Sequence, residues 1–513
     1  MKKLILYHPF LFAIYPVLTL YAYNIEQLPI RQILVPACIV LAATAILFLI
    51  LNLIIKNSQK AALILSGLLL MFFTYGHVND FIRFTSLLAF IVGAYYLLRS
   101  KKDISRITRI TSIISVGLVV AALANITISK FLETAEIELN KYRPEMVQPI
   151  RNETNIGSLP DIYFIMLDGY ARADILRQIY RYDNSEFLDF LHQRGFHIAG
   201  QSRSNYCQTL LSLSSTFNMI YLDELAEEMG VESSDRKPLM DMIRHSYVFD
   251  FLRQYGYKVI AIASGYSGTE IRNADYYLSP GLSLNEFENA LINYTPIPRF
   301  LRKFPLFNQY RIHRGTVKFA FEKLVDLPDC GSPRIVVAPI VTPHPPFVFG
   351  PDGEELDYDR QFEYSDGSHY MDLEGASRFE YIKKYCGQIH YVNKLVRALI
   401  DTLLSQPGRK PVIILQGDHG PGSLLNWESL EETYTRERLS ILNAYYLPDG
   451  DSALIYDSIT PVNSFRVIFN HYFGTDFELL ENRSYYTKWS APYKFYDVTD
   501  LMNQDVRPQI MFR

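Results

Sequence analysis

Acidic residues follow two apolar, strand-like stretches of this 513-residue chain. Asp168 ends the run Asp-Ile-Tyr-Phe-Ile-Met-Leu-Asp-Gly, and Asp418 with His419 ends the run Val-Ile-Ile-Leu-Gln-Gly-Asp-His-Gly. A carboxylate and an imidazole side by side at a strand end suit a divalent cation, because both groups are common ligands of such ions. Taken singly, each motif also fits a polar turn or the cap of a following helix.

Two further segments carry groups that can act on a substrate beside such a cation. Thr209 begins an apolar helical stretch, so its hydroxyl is expected at a helix N-terminus, where a nearby metal activates it to attack phosphorus or sulfur. His344 lies in Thr-Pro-His-Pro-Pro-Phe after another apolar run and is suited to hydrogen-bond a substrate oxyanion or leaving group. Alone, Thr209 also fits a plain helix cap, and His344 a structural histidine.

The elements that position these residues follow an α/β pattern. Apolar, strand-like runs alternate with helical periodicity, which predicts a mainly parallel sheet sandwiched by helices. The strand predictions are Ile162–Leu167, Lys258–Ala263, Arg334–Val341, Pro411–Gln416 and Ser440–Tyr446, and the helix predictions are Glu186–Arg194, Leu239–Tyr255 and Arg378–Ser405. Gly350–Gly375 is polar and is expected to be a lid or surface loop. Ligands of such sheets bind beyond the carboxyl ends of the strands, where the candidate residues fall.

The first quarter of the chain has a different, membrane-like composition. Five uncharged runs occur, at Leu4–Ile25, Gln32–Ile55, Ala61–Asn79, Phe84–Leu98 and Ile110–Ser129. A helix needs roughly 20 apolar residues to cross a bilayer, so four runs are long enough and Phe84–Leu98 is short. The short run also fits a buried or re-entrant segment. The fold predicted is therefore a five-helix transmembrane bundle followed by an α/β domain.

The charges between these runs predict an orientation. If all five runs cross, nine basic residues lie on one side and two, Arg31 and Arg83, on the other. The nine are Lys2, Lys3, Lys56, Lys60, Arg99, Lys101, Lys102, Arg106 and Arg109. Because cytoplasmic loops are enriched in Lys and Arg, the N-terminus is expected inside and the domain after Ser129 outside. A net charge of −4 without a basic block argues against nucleic acid as a partner.

Taken together and in this order, the motifs at Asp168, Thr209, His344 and Asp418-His419 resemble the alkaline phosphatase superfamily. The most similar part is its sulfatase-like branch, which includes lipoteichoic acid synthases and phosphoethanolamine or phosphoglycerol transferases. The resemblance covers about residues 160–448. It implies that Asp168, Thr209, Asp418 and His419 bind one Zn²⁺ or Mn²⁺, that Thr209 carries a phosphoryl intermediate, and that His344 faces the substrate.

Several residues depart from the patterns of that branch. Cys207-Gln-Thr-Leu-Leu lacks the Pro and Arg of the motif that sulfatases mature to formylglycine, so formylglycine is not expected here. Thr209-Leu-Leu-Ser resembles the Thr-x-x-Ser motif of phosphoethanolamine transferases instead. Gln388 and Asn393 stand where carboxylates are expected, so no second metal site is predicted securely.

The resemblance implies an enzyme at the cell membrane with its catalytic domain extracytoplasmic. The first function to consider transfers a phospho-alcohol head group from a phospholipid to a glycan or lipid acceptor. The alternatives are a hydrolase of sulfate or phosphate esters and an inactive sulfatase-fold binding module. The expected division is a transmembrane region over 1–129, a linker over 130–159 and a catalytic domain over 160–513. Of four cysteines, Cys330 and Cys386 are the pair that an oxidising compartment would allow to form a disulfide.

Overall fold

The computed structural model divides the chain into two compact units. One comprises Met1–Ile137 with Leu284–Asn308, and the other Glu138–Ser283 with Gln309–Arg513. The structure describes residues 6–24, 30–132, 139–144, 159–281, 286–298, 308–358 and 362–503. Most of the linker predicted over 130–159 lies outside these ranges, and the domain boundaries expected from the sequence stay a prediction.

Five helices make up most of the described part of the first unit. They are α1 (His8–Tyr23), α2 (Leu34–Ile55), α3 (Ser58–Thr74), α4 (Asp80–Arg99) and α5 (Ser105–Leu132). Asparagine side chains cap two of them: Asn57 accepts from the backbone N–H of Lys60 at the start of α3, and Asn79 accepts from that of Ile82 at the start of α4. These caps satisfy donors that the first helical turn leaves unpaired.

Four helices in the described residues are long and apolar enough to cross a membrane. They cover Leu34–Ile55, Ser58–His77, Asp80–Arg99 and Ser105–Ile128. The predicted short run at 84–98 is among them, because α4 begins earlier, at Asp80. The first predicted span is not, since α1 has 16 described residues, fewer than the roughly 20 that a crossing needs. Of the five predicted membrane spans, four thus correspond to helices that are long and apolar enough to cross a membrane.

The second unit is built on a mixed sheet. Its seven strands in the described residues are β1 (Ile162–Leu167), β2 (His197–Ile198), β3 (Lys258–Ile262), β4 (Tyr276–Leu278), β5 (Arg334–Ile340), β6 (Val412–Gln416) and β7 (Asn443–Tyr446). Their order is β2-β7-β6-β1-β5-β3-β4. The five strands from β6 to β4 run parallel. At one edge β7 pairs antiparallel with β6, and β2 pairs antiparallel with β7. The mainly parallel sheet that was predicted therefore has an antiparallel edge.

The remaining described helices follow the first five in chain order. They are α6 (Ala173–Gln178), α7 (Ser185–Gln193), α8 (Thr209–Asn218), α9 (Asp223–Met229), α10 (Lys237–Arg244), α11 (Tyr247–Gln254), α12 (Glu286–Asn293), α13 (Gln309–Val325), α14 (Gly367–Glu374), α15 (Arg378–Ser405), α16 (Thr435–Leu439), α17 (Pro461–Phe473) and α18 (Thr499–Asn503). A two-stranded ribbon, β8 (Tyr485–Tyr486) with β9 (Tyr496–Asp497), lies near the C-terminus. Of these helices, α12 is counted with the first unit.

Two helical predictions need correction. The helix expected over 239–255 is two helices, α10 and α11, because the Ser246 hydroxyl accepts from the backbone N–H of Phe249 and so starts a new helix. The loop expected over 350–375 ends in a helix, α14. By contrast, α15 spans Arg378–Ser405 as predicted and begins with a capping box between Ser377 and Glu380.

The strands that carry the candidate residues are buried on both faces. Every residue of β1 and β6 is buried, and aliphatic side chains of β1, β5 and β6 form one cluster with the inner face of α15. Burial on both faces explains why these strands read as continuous apolar runs rather than as alternating ones. Around β1 and β6, polar side chains can therefore contact a ligand only in the segments that follow the strand ends.

Candidate active site

The register of two neighbouring strands brings Asp168 and Asp418 together. β1 and β6 pair in parallel, and Met166 is the partner of Gln416. Both aspartates lie two residues beyond that pair, so they leave the sheet at the same edge. Gly169, with a φ of +76°, turns the chain after β1, and its N–H donates to Oδ1 of Asp418 at 3.1 Å.

His419 completes a buried group of possible metal ligands. Its Nε2 atom lies 3.6 Å from Oδ1 of Asp168 and 3.3 Å from Oδ2 of Asp418, and one ligand atom of each residue lies within 4.8 Å of the others. All three side chains are buried. Two carboxylates and one imidazole at these distances form a suitable ligand set for one divalent cation.

The hydrogen bond of the other ring nitrogen fixes the tautomer of His419. Nδ1 lies 2.9 Å from the carbonyl oxygen of Gly420 and can only donate to it, so Nε2 keeps a lone pair. Gly420 makes this turn possible, because a Cβ atom there would lie 2.1 Å from the carbonyl oxygen of Glu437. The glycine of the Asp-His-Gly sequence thus allows the close backbone contact that orients the histidine.

The surroundings of two carboxylate oxygens show whether these residues suit a cation. Oδ1 of Asp168 and Oδ2 of Asp418 are buried without a hydrogen-bond partner among the described residues. Burial raises the pKa of Asp168 to about 8, and burial with the nearby charge of Asp168 raises the pKa of Asp418 to about 7. Burial lowers the pKa of His419 well below its ordinary value. Buried, unpaired oxygens beside a neutral imidazole fit a divalent cation, which would stabilise both carboxylates.

Thr209 lies beside this group as the first residue of α8. Its Oγ1 atom lies 3.1 Å from Nε2 of His419. One turn later in the same helix, the Ser212 hydroxyl donates to the backbone carbonyl of Asp418 at 2.8 Å. The Thr-x-x-Ser spacing therefore has a structural reason: the threonine faces the ligand group, and the serine ties α8 to the loop that carries it.

Cys207 faces away from the ligand group. Its sulfur lies 3.2 Å from the backbone nitrogen of Thr487 and packs in a cluster with Leu425 and Trp427. Burial raises the pKa of its thiol, which disfavours the reactive thiolate. A cysteine-derived nucleophile at this position would not face the candidate metal ligands, whereas Thr209 does.

His344 is held at the same edge of the sheet. Its backbone N–H donates to the carbonyl of Asp168 at 2.9 Å, and its own carbonyl accepts from the side-chain amide of Gln388 at 3.1 Å. Its Nδ1 donates to the carbonyl of Pro345, and its Nε2 lies 3.9 Å from Oδ2 of Asp366. Gln388 also accepts from the backbone N–H of Val348, so its amide secures the loop in a way a carboxylate cannot.

Two charged residues that the sequence analysis did not identify complete the site. Arg438, in α16, is buried and donates to Asp366 at 2.6 Å, to the carbonyl of Gly420 at 2.9 Å and to Nε2 of His419 at 3.0 Å. Burial opposes the charge of Asp366, but Arg438 and a hydrogen bond from Tyr381 hold the pKa of Asp366 below its ordinary value. The sequence Thr-Arg-Glu-Arg-Leu reads as an exposed polar helix, and only its position just before a strand hints otherwise.

Asn393 and the pair of cysteines considered for a disulfide are the remaining features named from the sequence. Asn393 accepts from the Tyr170 hydroxyl at 2.7 Å and donates to Asn184 at 2.8 Å, in a hydrogen-bond network and not beside the ligand group. Cys330 and Cys386 are free thiols with different carbonyl partners, so the disulfide considered between them is not formed.

Comparison with known protein families identifies the family of this chain. Residues 160–453, more than half of the chain, match the sulfatase family. The chain therefore belongs to the sulfatase family and is an enzyme of the sulfatase-like branch that its motifs resemble. No curated protein matches the chain in sequence.

Several solved structures are similar to parts of the chain. The C-terminal periplasmic domain of EptC from Escherichia coli has 11% identity and a TM-score of 0.42, covering 68% of this chain and 96% of that one. The integral membrane protein lipooligosaccharide phosphoethanolamine transferase A from Neisseria meningitidis has 10% identity and a TM-score of 0.37, covering 89% and 94%. BT1596, a 2-O GAG sulfatase, has 11% identity and a TM-score of 0.40, covering 66% and 74%. Similarities this low carry no argument about substrate.

Proposed function

We propose that this enzyme is a membrane-anchored, metal-dependent transferase. It takes a phospho-alcohol head group, phosphoethanolamine or phosphoglycerol, from a phospholipid and passes it to a glycan or lipid acceptor. The main support is the position of Thr209: its hydroxyl lies 3.1 Å from Nε2 of His419, at the start of a helix and beside two unpartnered carboxylate oxygens. This is the position of a nucleophile.

Asp168, Asp418, His419 and the hydroxyl of Thr209 are the residues that would hold one Zn²⁺ or Mn²⁺. Such a cation supplies a positive charge that favours the deprotonated hydroxyl and the negative charge of the transferred group. Two aspartates neutralise a 2+ ion before the substrate arrives, while a neutral His419 adds a ligand without charge. The N-terminus of α8 adds a favourable field for the phosphoryl oxygens.

The transfer proceeds in two displacements at phosphorus. In the first, the Thr209 hydroxyl loses its proton as its oxygen forms a bond to phosphorus, the bond to the diacylglycerol oxygen breaks, and that oxygen takes up a proton. In the second, an acceptor hydroxyl loses its proton as it forms the new bond to phosphorus, and the Thr209 oxygen leaves and takes up a proton. His344 suits this proton transfer. Its Nδ1 donates to the carbonyl of Pro345 and burial lowers its pKa, so its Nε2 can accept the proton of the attacking hydroxyl and return it to the leaving oxygen.

The membrane helices suit a lipid donor. Four apolar helices are present in the described residues, and a fifth span over 4–25 would give the odd number that separates the N-terminus from the catalytic unit. Under this proposal the protein spans the cell membrane several times with its site on the extracytoplasmic side. An anchor of this kind raises the effective concentration of lipid substrates at the site.

Purified full-length enzyme incubated with phospholipid labelled in the head-group phosphate tests the proposal. We expect label on Thr209 and release of diacylglycerol, both lost in Thr209→Ala. Added acceptor should then remove the label from the protein. Release of the labelled head group to water at the same rate with or without acceptor would instead favour the hydrolase.

A further inference from the structure

Both tryptophans of the chain lie next to the candidate active site. The sequence contains two, Trp427 and Trp489, and their ring centroids are 5.3 Å apart. The ring of His369 lies 6.3 Å from each of them. Trp427 is buried, whereas Trp489 is 39% exposed.

This aromatic group is tied to the catalytic residues at two points. The guanidinium of Arg438, which donates to His419, lies 5.0 Å from the centre of the Trp427 ring. Arg236 lies 4.4 Å from the centre of the Trp489 ring and donates to the side-chain oxygen of Gln208, the residue before Thr209. The exposed indole is thus two side-chain contacts from Gln208, the residue that precedes the nucleophile in the chain.

The group is held rigidly. The indole N–H of Trp427 donates to the carbonyl of Asp366 at 2.9 Å, and the backbone N–H of Trp489 donates to the carbonyl of Trp427 at 3.1 Å. Arg236 donates to the carbonyl of Trp489 as well as covering its ring. An indole fixed in this way loses little conformational entropy when a ligand contacts it.

The charges around the rings indicate what they can bind. Each indole already has a guanidinium as its cation, Arg438 on Trp427 and Arg236 on Trp489, so a positively charged ligand would meet like charge there. The nearby carboxylate of Glu428 accepts from Ser490 at 2.6 Å. A rigid, exposed indole with hydrogen-bonding groups at its edge suits the C–H face of a sugar ring.

We propose that Trp489, with Trp427, His369 and Arg236, forms a sugar-binding platform that receives the acceptor. This inference rests on the proposed transferase function and deepens it, because it selects a glycan over a lipid as the group that contacts the enzyme beside Thr209. The rings bind the acceptor sugar by stacking, and Arg236 positions the indole.

Intrinsic fluorescence tests this directly, since the chain has no other tryptophan. Full-length protein in a polyoxyethylene detergent, which has no sugar head group, is titrated with cellobiose and separately with ethanolamine. We expect a saturable change in emission with cellobiose and none with ethanolamine. If cellobiose causes no change in emission up to about 100 mM, its dissociation constant is too weak for a functional subsite, and the platform is overturned. A saturable change with ethanolamine alone would also overturn it.

Variants separate the platform from the fold and from the chemistry. Trp489→Ala should weaken cellobiose binding by about tenfold or more, and Trp489→Phe, which keeps a ring, should weaken it less. Tyr276→Ala removes an exposed aromatic residue on the edge strand β4 and should bind as the native protein does. Equal binding by Trp489→Ala and the native protein, measured by calorimetry, would contradict the proposal.

Failure of the transferase proposal looks different. Thr209→Ala should bind cellobiose normally although it is not labelled by phospholipid. If native enzyme binds the sugar yet never labels Thr209, the platform stands and the transferase mechanism fails. If Thr209 is labelled but cellobiose leaves the emission unchanged, the transferase stands and the platform fails.

Discussion

The guanidinium of Arg438 contacts the imidazole of His419, with Nη2 3.0 Å from Nε2. Because Nδ1 of His419 donates to Gly420, Nε2 has a single lone pair, and Arg438 donates to it. A cation held by His419 needs that same lone pair. A cation bound there would therefore replace this hydrogen bond and leave one N–H of the buried Arg438 guanidinium without its partner.

Replacement of the nucleophile gives the first prediction. Thr209→Ala should abolish turnover, because the hydroxyl beside His419 is lost, while thermal stability stays close to that of the native protein. Thr209→Ser, which keeps a hydroxyl at the start of α8, should retain part of the activity. Measured kcat for the three proteins checks this, and undiminished turnover by Thr209→Ala would exclude a phospho-threonine mechanism.

Measuring bound metal distinguishes residues that bind the cation from residues that act on the substrate. Asp418→Asn should lose bound Zn²⁺ or Mn²⁺ and activity together, because one of two charged ligands is gone. His344→Ala should lose activity but keep its metal, since His344 is not part of the ligand group. Elemental analysis of the purified variants measures both effects. Equal metal content in Asp418→Asn and the native protein would contradict the assignment of Asp418.

The pH dependence of the metal-free protein gives a third prediction. The pKa of Asp168 is raised to about 8 and that of Asp418 to about 7, above the ordinary value of about 4. At these two carboxyls the folded state therefore binds more protons than the unfolded chain between about pH 4 and pH 8, so their contribution to the free energy of unfolding should fall as pH rises through that range. Thermal unfolding in chelator at several pH values measures the fall.

A double variant and added metal provide the controls for that experiment. Asp168→Asn/Asp418→Asn should show a smaller fall, and Glu437, whose pKa burial raises to about 7, contributes equally in both proteins. Saturating Zn²⁺ or Mn²⁺ should also reduce the fall in the native protein. An identical fall in the double variant would show that the loss of stability arises elsewhere.

The buried ion pair between Arg438 and Asp366 gives a prediction about stability. Both side chains are 2% exposed and their charged atoms are 2.6 Å apart. Arg438→Met should lower the free energy of unfolding by about 3–5 kcal/mol, because it leaves the carboxylate of Asp366 buried without its partner. Adding Asp366→Asn should recover part of that loss. Urea unfolding of the two variants measures the recovery, and a purely additive loss would contradict the coupling.

Membrane orientation gives the last prediction. Single cysteines introduced at Ser58 and Asn152, in a chain with its native cysteines replaced, should react with an impermeant thiol reagent from opposite sides of the membrane. The nine-to-two distribution of basic residues is the reason for that expectation. Labelling from the same side would exclude five spans and an extracytoplasmic site.

The residues that the sequence identified are those whose positions depend on local structure. Asp168 and the Asp418-His419 pair directly follow strands that are buried on both faces, and parallel pairing brings such strand ends together. Thr209 starts a helix whose apolar pattern is local in the sequence. For Asp168 and the Asp418-His419 pair, the strand predictions were sufficient to predict that they are neighbours, whereas the place of Thr209 beside them was implied by the family resemblance.

Other features depend on contacts between residues distant in sequence, which local patterns do not encode. Arg438 has its partner Asp366 72 residues away, so nothing in its own segment indicates burial. The platform joins Trp427, Trp489 and Arg236 from three separate segments. The break between α10 and α11 was missed for another reason: a single serine cap outweighed a continuous apolar periodicity.

The membership of α12 in the first unit has a practical consequence for anyone who wishes to express the catalytic unit by itself. Phe287 and Leu291 of α12 are buried in the same cluster as Ala13 and Val17 of α1, and the backbone N–H of Gly76 donates to the carbonyl of Tyr294. A truncated protein that begins after the membrane helices would keep α12 but lack these partners. The apolar side chains of Phe287 and Leu291 would then be exposed and would promote aggregation. Removing 284–308 together with the membrane helices should therefore give a catalytic unit that aggregates less than one from which the membrane helices alone are removed.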